Sequence, residues 1–258
     1  MAVDWRADPK APEQTPLPSC YTTFGLAKVT PVIETYANNP DIVLWGIRLL
    51  RNLATRDAVA RDQVNRSGIE HILSSLAKHR GAPALRVSIL ELIYVAFTTN
   101  YTRLNQVDEL STMVLNCVTL LLLDHEDHHA VQVLALQNLV TASQHASNLE
   151  HLMVSKQVIG PCVLSLLQLA AAHAFPATAD RDTIFVWGLR FMVVMGQYDR
   201  VRNPVEFVDS ATSSGLVAYL LASIQSVDDR IQNLVNVLRR MLQDAAVVTQ
   251  VAATTSGR

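Results

Sequence analysis

Apolar residues recur at intervals of three and four along almost the whole chain after residue 20. That interval is the helical period, so it predicts one helix after another and gives no strand signal. The fold class read from it is all-α. The pattern also repeats on a coarser scale. Five segments align without internal gaps: Val43–Ala54, Leu85–Ala96, His129–Val140, Phe185–Gly196 and Ile231–Leu242. In this register Ile47, Ile89, Val133, Leu189 and Val235 coincide, as do Leu50, Leu92, Leu136, Met192 and Leu238. Successive copies start 42, 44, 56 and 46 residues apart, and Ala172–Ala179 reads as a loop insertion behind the long third interval. Periods of this size mark stacked structural units, each needing a neighbour to cover its apolar stripe.

Shorter elements precede the long ones. Ala58–Arg66 and Ile69–Leu76 flank Gly68, while Pro204–Ala211 and Leu216–Ile224 flank Gly215. Both glycines suit a left-handed helix cap. Thr30 is placed to cap a helix over Pro31–Tyr36. Asp41, Asp127 and Asp180 or Asp182 fall where helix starts favour acids. Pro9, Pro12, Pro16 and Pro18 block helix in residues 1–19, which read as an extended arm with Trp5 as its contact residue. Residues 20–244 read as a helical repeat domain and residues 245–258 as a C-terminal tail.

These features resemble the armadillo repeat, whose unit has a short first helix, a medium second and a long third. The third helix of that family often ends in Ala-Leu-x-Asn-Leu-Ala. Leu49–Ala54 and Ala135–Val140 carry the likeness most closely. HEAT repeats, with two helices per unit, share much of the pattern, so the assignment of units stays open on sequence alone. The resemblance implies a right-handed α-solenoid of about five three-helix units over residues 20–244. It also implies a concave face built from the third helices and used to bind other proteins, often as extended segments. The positions of this chain on that face are Arg48, Asn52, Tyr94, Asn138, Arg190, Asn236 and Arg240. Nuclear-import adaptors of the family carry a ladder of Trp and Asn there. Here the Asn positions read Asn52, Tyr94, Asn138, Val194 and Arg240, and the Trp positions read Arg48, Leu90, Leu134, Arg190 and Asn236. The ladder is absent, which argues against a nuclear-signal receptor. Trp45 and Trp187 stand three residues earlier and are expected in the core or at its rim.

Composition narrows the classes further. Half of the 258 residues are apolar, 17% are charged, and the formal net charge is -2. Such a chain is not intrinsically disordered, and it lacks the basic excess of a dedicated nucleic-acid binder. Nine glycines fall well short of ordinary usage, which leaves little for phosphate-cradling loops or tight hairpins. Three scattered cysteines make no disulfide scaffold or zinc cluster. The N-terminus has no apolar signal core. Gln157–Ala179 has no formal charge, yet its polar residues and Pro161 and Pro176 favour a buried helix over a membrane span.

Charge is unevenly spread. Arginine supplies 17 of the 21 basic residues, and Arg48, Arg51, Arg56, Arg61 and Arg66 cluster on one repeat. Residues 1–103 carry a net charge of +3 and residues 104–258 one of -5. Arginine is favoured at interfaces and in carboxylate pairing, so an acidic or extended protein segment is the expected partner.

Asp124–His129 is the densest polar cluster, and His125 and His129 are weak metal candidates at helical spacing. A polar turn before a long helix explains the same residues. Cys117 and Cys162 lie in apolar runs and read as buried thiols. No nucleophile elbow, Walker loop or dinucleotide fingerprint is present. The expectation is therefore a non-catalytic protein-binding scaffold or subunit of a larger assembly. It would need no cofactor, bind no nucleic acid, carry no transmembrane segment and be cytoplasmic, cytoskeletal assemblies included. Organellar import stays open. So do two other classes: a membrane-associated helical subunit, and a metal-binding or enzymatic helical protein.

Overall fold

The computed structural model describes residues 28–67, 69–79, 81–97, 117–119, 122, 129–144, 148–150, 152, 163, 165–168, 170–171, 178–202, 224 and 228–256. Every regular element among them is a helix. The N-terminal arm with Trp5, the glycines at 68 and 215, and Pro204–Ala211 lie outside the described residues. The chain divides into two compact units, Met1–Asn148 and Leu149–Arg258. The sequence predicts one repeat domain over 20–244. The division falls in the longest interval between aligned segments, where extra chain separates the third long helix from the fourth.

In the first unit, α1 occupies residues 28–35, followed by α2 (Pro40–Arg56), α3 (Ala58–Ser67), α4 (Ile69–Lys78), α5 (Pro83–Phe97) and α6 (His129–Ala142). Residue 28 is already helical, so Thr30 lies inside α1 and does not cap it. The start of α2 is set by Asn39, whose side-chain oxygen accepts from the backbone amides of Asp41 at 3.1 Å and Ile42 at 3.3 Å. Pro40 then supplies the fixed φ of a first helical turn. Asp57 both ends α2, in extended backbone, and opens α3 by accepting from Val59 N at 2.6 Å and Ala60 N at 3.1 Å. Arg61 Nε donates to Ala54 O at 3.0 Å and so clamps this corner. A one-residue junction is thus specified by an Asx cap together with one arginine.

The core of this unit is layered along the long helices. α2 turns Val43, Ile47, Leu50, Leu53 and Ala54 inward. It packs on α5, which in turn packs on α6. α5 is buried on most sides, at Leu85, Ile89, Leu90, Leu92, Ile93, Val95 and Ala96. A helix apolar nearly all round belongs in an interior, and α5 lies between two others. Each fully buried Leu or Ile contributes about 1.5–3 kcal/mol. Cys117 is buried as well, and desolvation pushes its thiol up to about 12. It is therefore protonated at neutral pH and a poor nucleophile.

The second unit holds helical residues 165–168, α7 (Thr178–Arg202) and α8 (Asp229–Ser256). α7 packs on α8. α8 presents Ile231, Val235, Leu238 and Met241 as a single buried stripe. It continues to Ser256, through the residues expected as a tail. No proline or glycine interrupts Ala245–Ser256.

Two glycines allow close helix approach. A Cβ on Gly46 would lie 2.6 Å from Ile33 Cγ1, and one on Gly188 would lie 2.9 Å from Leu167 Cδ2. Ile33 is itself buried and meets Gly46 through an inner side-chain carbon, so it has little room to yield. Gly46→Ala should gain about 1 kcal/mol of helix propensity and lose more to overpacking. A net loss of about 1 kcal/mol is expected in denaturant unfolding, with a smaller loss for Gly188→Ala, where the nearest approach is 2.9 Å and is made by a terminal methyl.

The start of α8 has a pH signature. Asp228 accepts from Arg230 N at 2.8 Å and pairs with the Arg230 guanidinium, and the hydrogen bonds from Arg230 lower its carboxyl from the usual 3.8 to about 2. A carboxyl depressed in the folded state contributes stability above its unfolded value, and that contribution is lost as pH falls through the folded one. Thermal melts of the parent and of Asp228→Asn should therefore differ at pH 5 and converge as pH falls through about 4 to 2.

Candidate functional site

The non-core face of α2 is a second stripe at helical spacing: Trp45, Arg48, Leu49, Asn52 and Arg56. It exists because the core stripe takes only one side of the helix. Trp45 is 66% exposed, contrary to the expectation of a core or rim position. Its ring carries the Arg48 guanidinium, with Cζ 5.1 Å from the ring centroid. Such a contact is worth about 0.5–1 kcal/mol at an exposed site, and it keeps the guanidinium over the ring.

Opposite this stripe, α5 presents Ala84, Val87, Glu91 and Tyr94 at the same kind of spacing. Between them lies a depression of about 780 Å³ lined by Trp45, Arg48, Leu49, Arg51, Asn52, Ala84, Val87, Ser88 and Glu91. A second, of about 470 Å³, shares Arg51, Asn52 and Glu91 and reaches Thr55, Arg56, Tyr94, Val95, Leu134 and Gln137. The shared residues make the two depressions one groove that crosses α2, α5 and α6. An ion pair between Arg51 and Glu91 joins its walls, with both side chains about one-third exposed. At that exposure the pair is worth at most about 1 kcal/mol, so it positions more than it stabilises. Arg48 and Arg56 remain as uncompensated positive charge on the groove among its lining residues.

No family model, curated protein or solved structure matches the chain. Geometry alone therefore ranks the candidate residues. The structure brings Arg48, Asn52 and Tyr94 to the groove of the first unit. Arg190 lies exposed on α7, and Asn236 and Arg240 lie exposed one turn apart on α8, all three in the second unit. Asn138 departs from the expectation. It is 1% exposed, and its amide nitrogen donates to Leu90 O at 3.2 Å and Leu134 O at 2.8 Å. It ties α6 to α5 from inside and has no free surface for a partner.

Sequence reasoning missed Trp45 and Gln137 as groove residues and placed Arg56 only within the arginine cluster. The signal was present in the three- and four-residue spacing of Trp45, Arg48, Asn52 and Arg56, opposite the core stripe. Of the metal candidates, His125 lies outside the described residues, and only the place of His129 at the start of α6 is described. Among the described residues no group of three His, Cys, Asp or Glu is placed to hold a metal ion. No helix among them is long and apolar enough to cross a membrane.

Asn138→Asp would set a carboxylate against two carbonyl oxygens in the core. A loss of about 3 kcal/mol in unfolding free energy is expected, since an unsatisfied buried charge exceeds the usual cost of a lost hydrogen bond. Asn138→Leu should cost far less. Equal melting temperatures for Asn138→Asp and the parent would return Asn138 to the surface.

Proposed function

We propose that this protein is a non-catalytic scaffold or assembly subunit, an armadillo-like α-solenoid whose long helices receive an extended segment of another protein. The observation that carries the reading is the groove across α2, α5 and α6, lined by Trp45, Arg48, Asn52, Arg56 and Tyr94. Sequential packing of α2 on α5 and of α5 on α6 is what stacked units would give, and the aligned segments fall on these helices. The groove is long, open and polar at its edges. A bound main chain needs hydrogen-bonding groups such as Asn52, apolar surface such as Trp45 and Leu49, and charge at fixed points. Tryptophan, tyrosine and arginine are also the residue types that dominate binding energy at interfaces. The N-terminal arm is a second contact in this reading, and the compartment is cytoplasmic.

The test is affinity purification with quantitative mass spectrometry, comparing the parent with Arg48→Glu plus Arg56→Glu. Proteins that engage the groove should fall about tenfold or more in recovery. The double variant should stay stably folded, losing no more than the Arg48–Trp45 stack, about 0.5–1 kcal/mol. An unchanged set of recovered proteins from a stably folded double variant sinks the groove as the binding surface.

A further inference from the structure

The stacked pair on α2 has a counterpart. Trp45-Gly46-Ile47-Arg48 and Trp187-Gly188-Leu189-Arg190 match at three of four positions, and Ile and Leu fill the fourth. They also match in structure. The Arg190 guanidinium lies over the Trp187 ring at 5.0 Å, against 5.1 Å for Arg48 over Trp45. In each, the glycine presses against the side chain of an earlier helical residue, Ile33 in one unit and Leu167 in the other. That contact fixes one side of the helix to the interior, while Trp45 and Arg190 are exposed and Arg48 and Trp187 half-buried.

We propose that each unit carries one copy of the same carboxylate-binding position, a tryptophan-backed arginine that takes an Asp or Glu side chain of an acidic protein segment. The proposal rests on the binding reading above and names the partner's chemistry. Three observations support it. No Asp or Glu stands three or four residues from either arginine, so neither helix supplies the ion pair that a solvated arginine commonly makes. The indole takes up a ring contact and not the N–H donors of the guanidinium, and a carboxylate engages two such donors at once. Each stack offers a single guanidinium, which matches the single charge of a carboxylate. In the first unit the charge is complementary as well, with Arg48, Arg51 and Arg56 set against one lining carboxylate, Glu91.

The probe is a synthetic peptide of alternating Glu and Ala, titrated calorimetrically into the full chain, with a Gln-for-Glu peptide as control. Two equivalents per chain are expected, with no binding of the control. Arg48→Ala and Arg190→Ala should each remove one equivalent, and the double variant both, with every variant still folding cooperatively. Trp187→Leu keeps the charge and loses the stack, and should weaken its equivalent about threefold to tenfold. A single equivalent lost with Arg48→Ala and indifferent to Arg190→Ala overturns the duplication and leaves the groove reading intact. Equal binding of the Gln peptide, or no binding of the Glu peptide, overturns carboxylate recognition. Native partner recovery that ignores the groove variants overturns the binding reading itself.

Discussion

Helix α5 buries Leu85, Ile89, Leu90, Leu92, Ile93, Val95 and Ala96, and a helix apolar on so many sides is not stable in water until others enclose it. The first unit is arranged around that requirement. α2 covers one side, α6 another, and α3 and α4 complete the shell. Asn138 adds a directional constraint, because its amide reaches a carbonyl on α5 as well as one on its own helix. Apolar burial brings the three long helices together, and this polar contact fixes how α6 lies on α5.

Covering α5 also decides which surfaces stay free. α2 commits Val43, Ile47, Leu50 and Ala54 to the core, so Trp45, Arg48, Asn52 and Arg56 are left on the far side. Gly46 reinforces the division by letting α1 close on the flank of the helix. The groove is thus a by-product of core geometry, furnished with residue types suited to recognition. The Arg51–Glu91 pair closes the arrangement by linking the two helices at the groove wall.

Much of the fold was legible because helical period and burial are the same fact seen at two levels. The five aligned segments lie within α2, α5, α6, α7 and α8, with each helix extending beyond its segment. Boundaries were less legible. Asn39 and Asp57 act as caps through side-chain geometry that a periodicity argument does not weigh, and α8 runs on because nothing in Ala245–Ser256 stops it. The site was legible in part. Arg48, Asn52 and Tyr94 share a groove because α2 and α5 pack side by side and turn these positions toward the same surface. Asn138 holds an equivalent register position yet is buried, since register sets a residue's angle on its helix but not how closely the next helix approaches. Trp45, expected in the core or at its rim, is exposed instead. Its place opposite Val43 and Ile47 on the helix decides the matter, and the stacked arginine gives the exposed ring a polar partner.

The character of the groove bears on what kind of chemistry it supports. Catalysis by charge stabilisation depends on polar groups held in a water-excluded site, where each electrostatic interaction gains strength. Arg48 and Arg51 are only partly covered, and Asn52 and Arg56 are exposed. Among the described residues, the Cys117 thiol is held protonated by burial. In such surroundings single charge pairs are weak, so under the proposed binding role affinity would come from several contacts spread along a chain. A surface of this kind gains more from repeating a modest contact than from perfecting one. The recurrence of the tryptophan–arginine stack in both units is what that economy of recognition would favour.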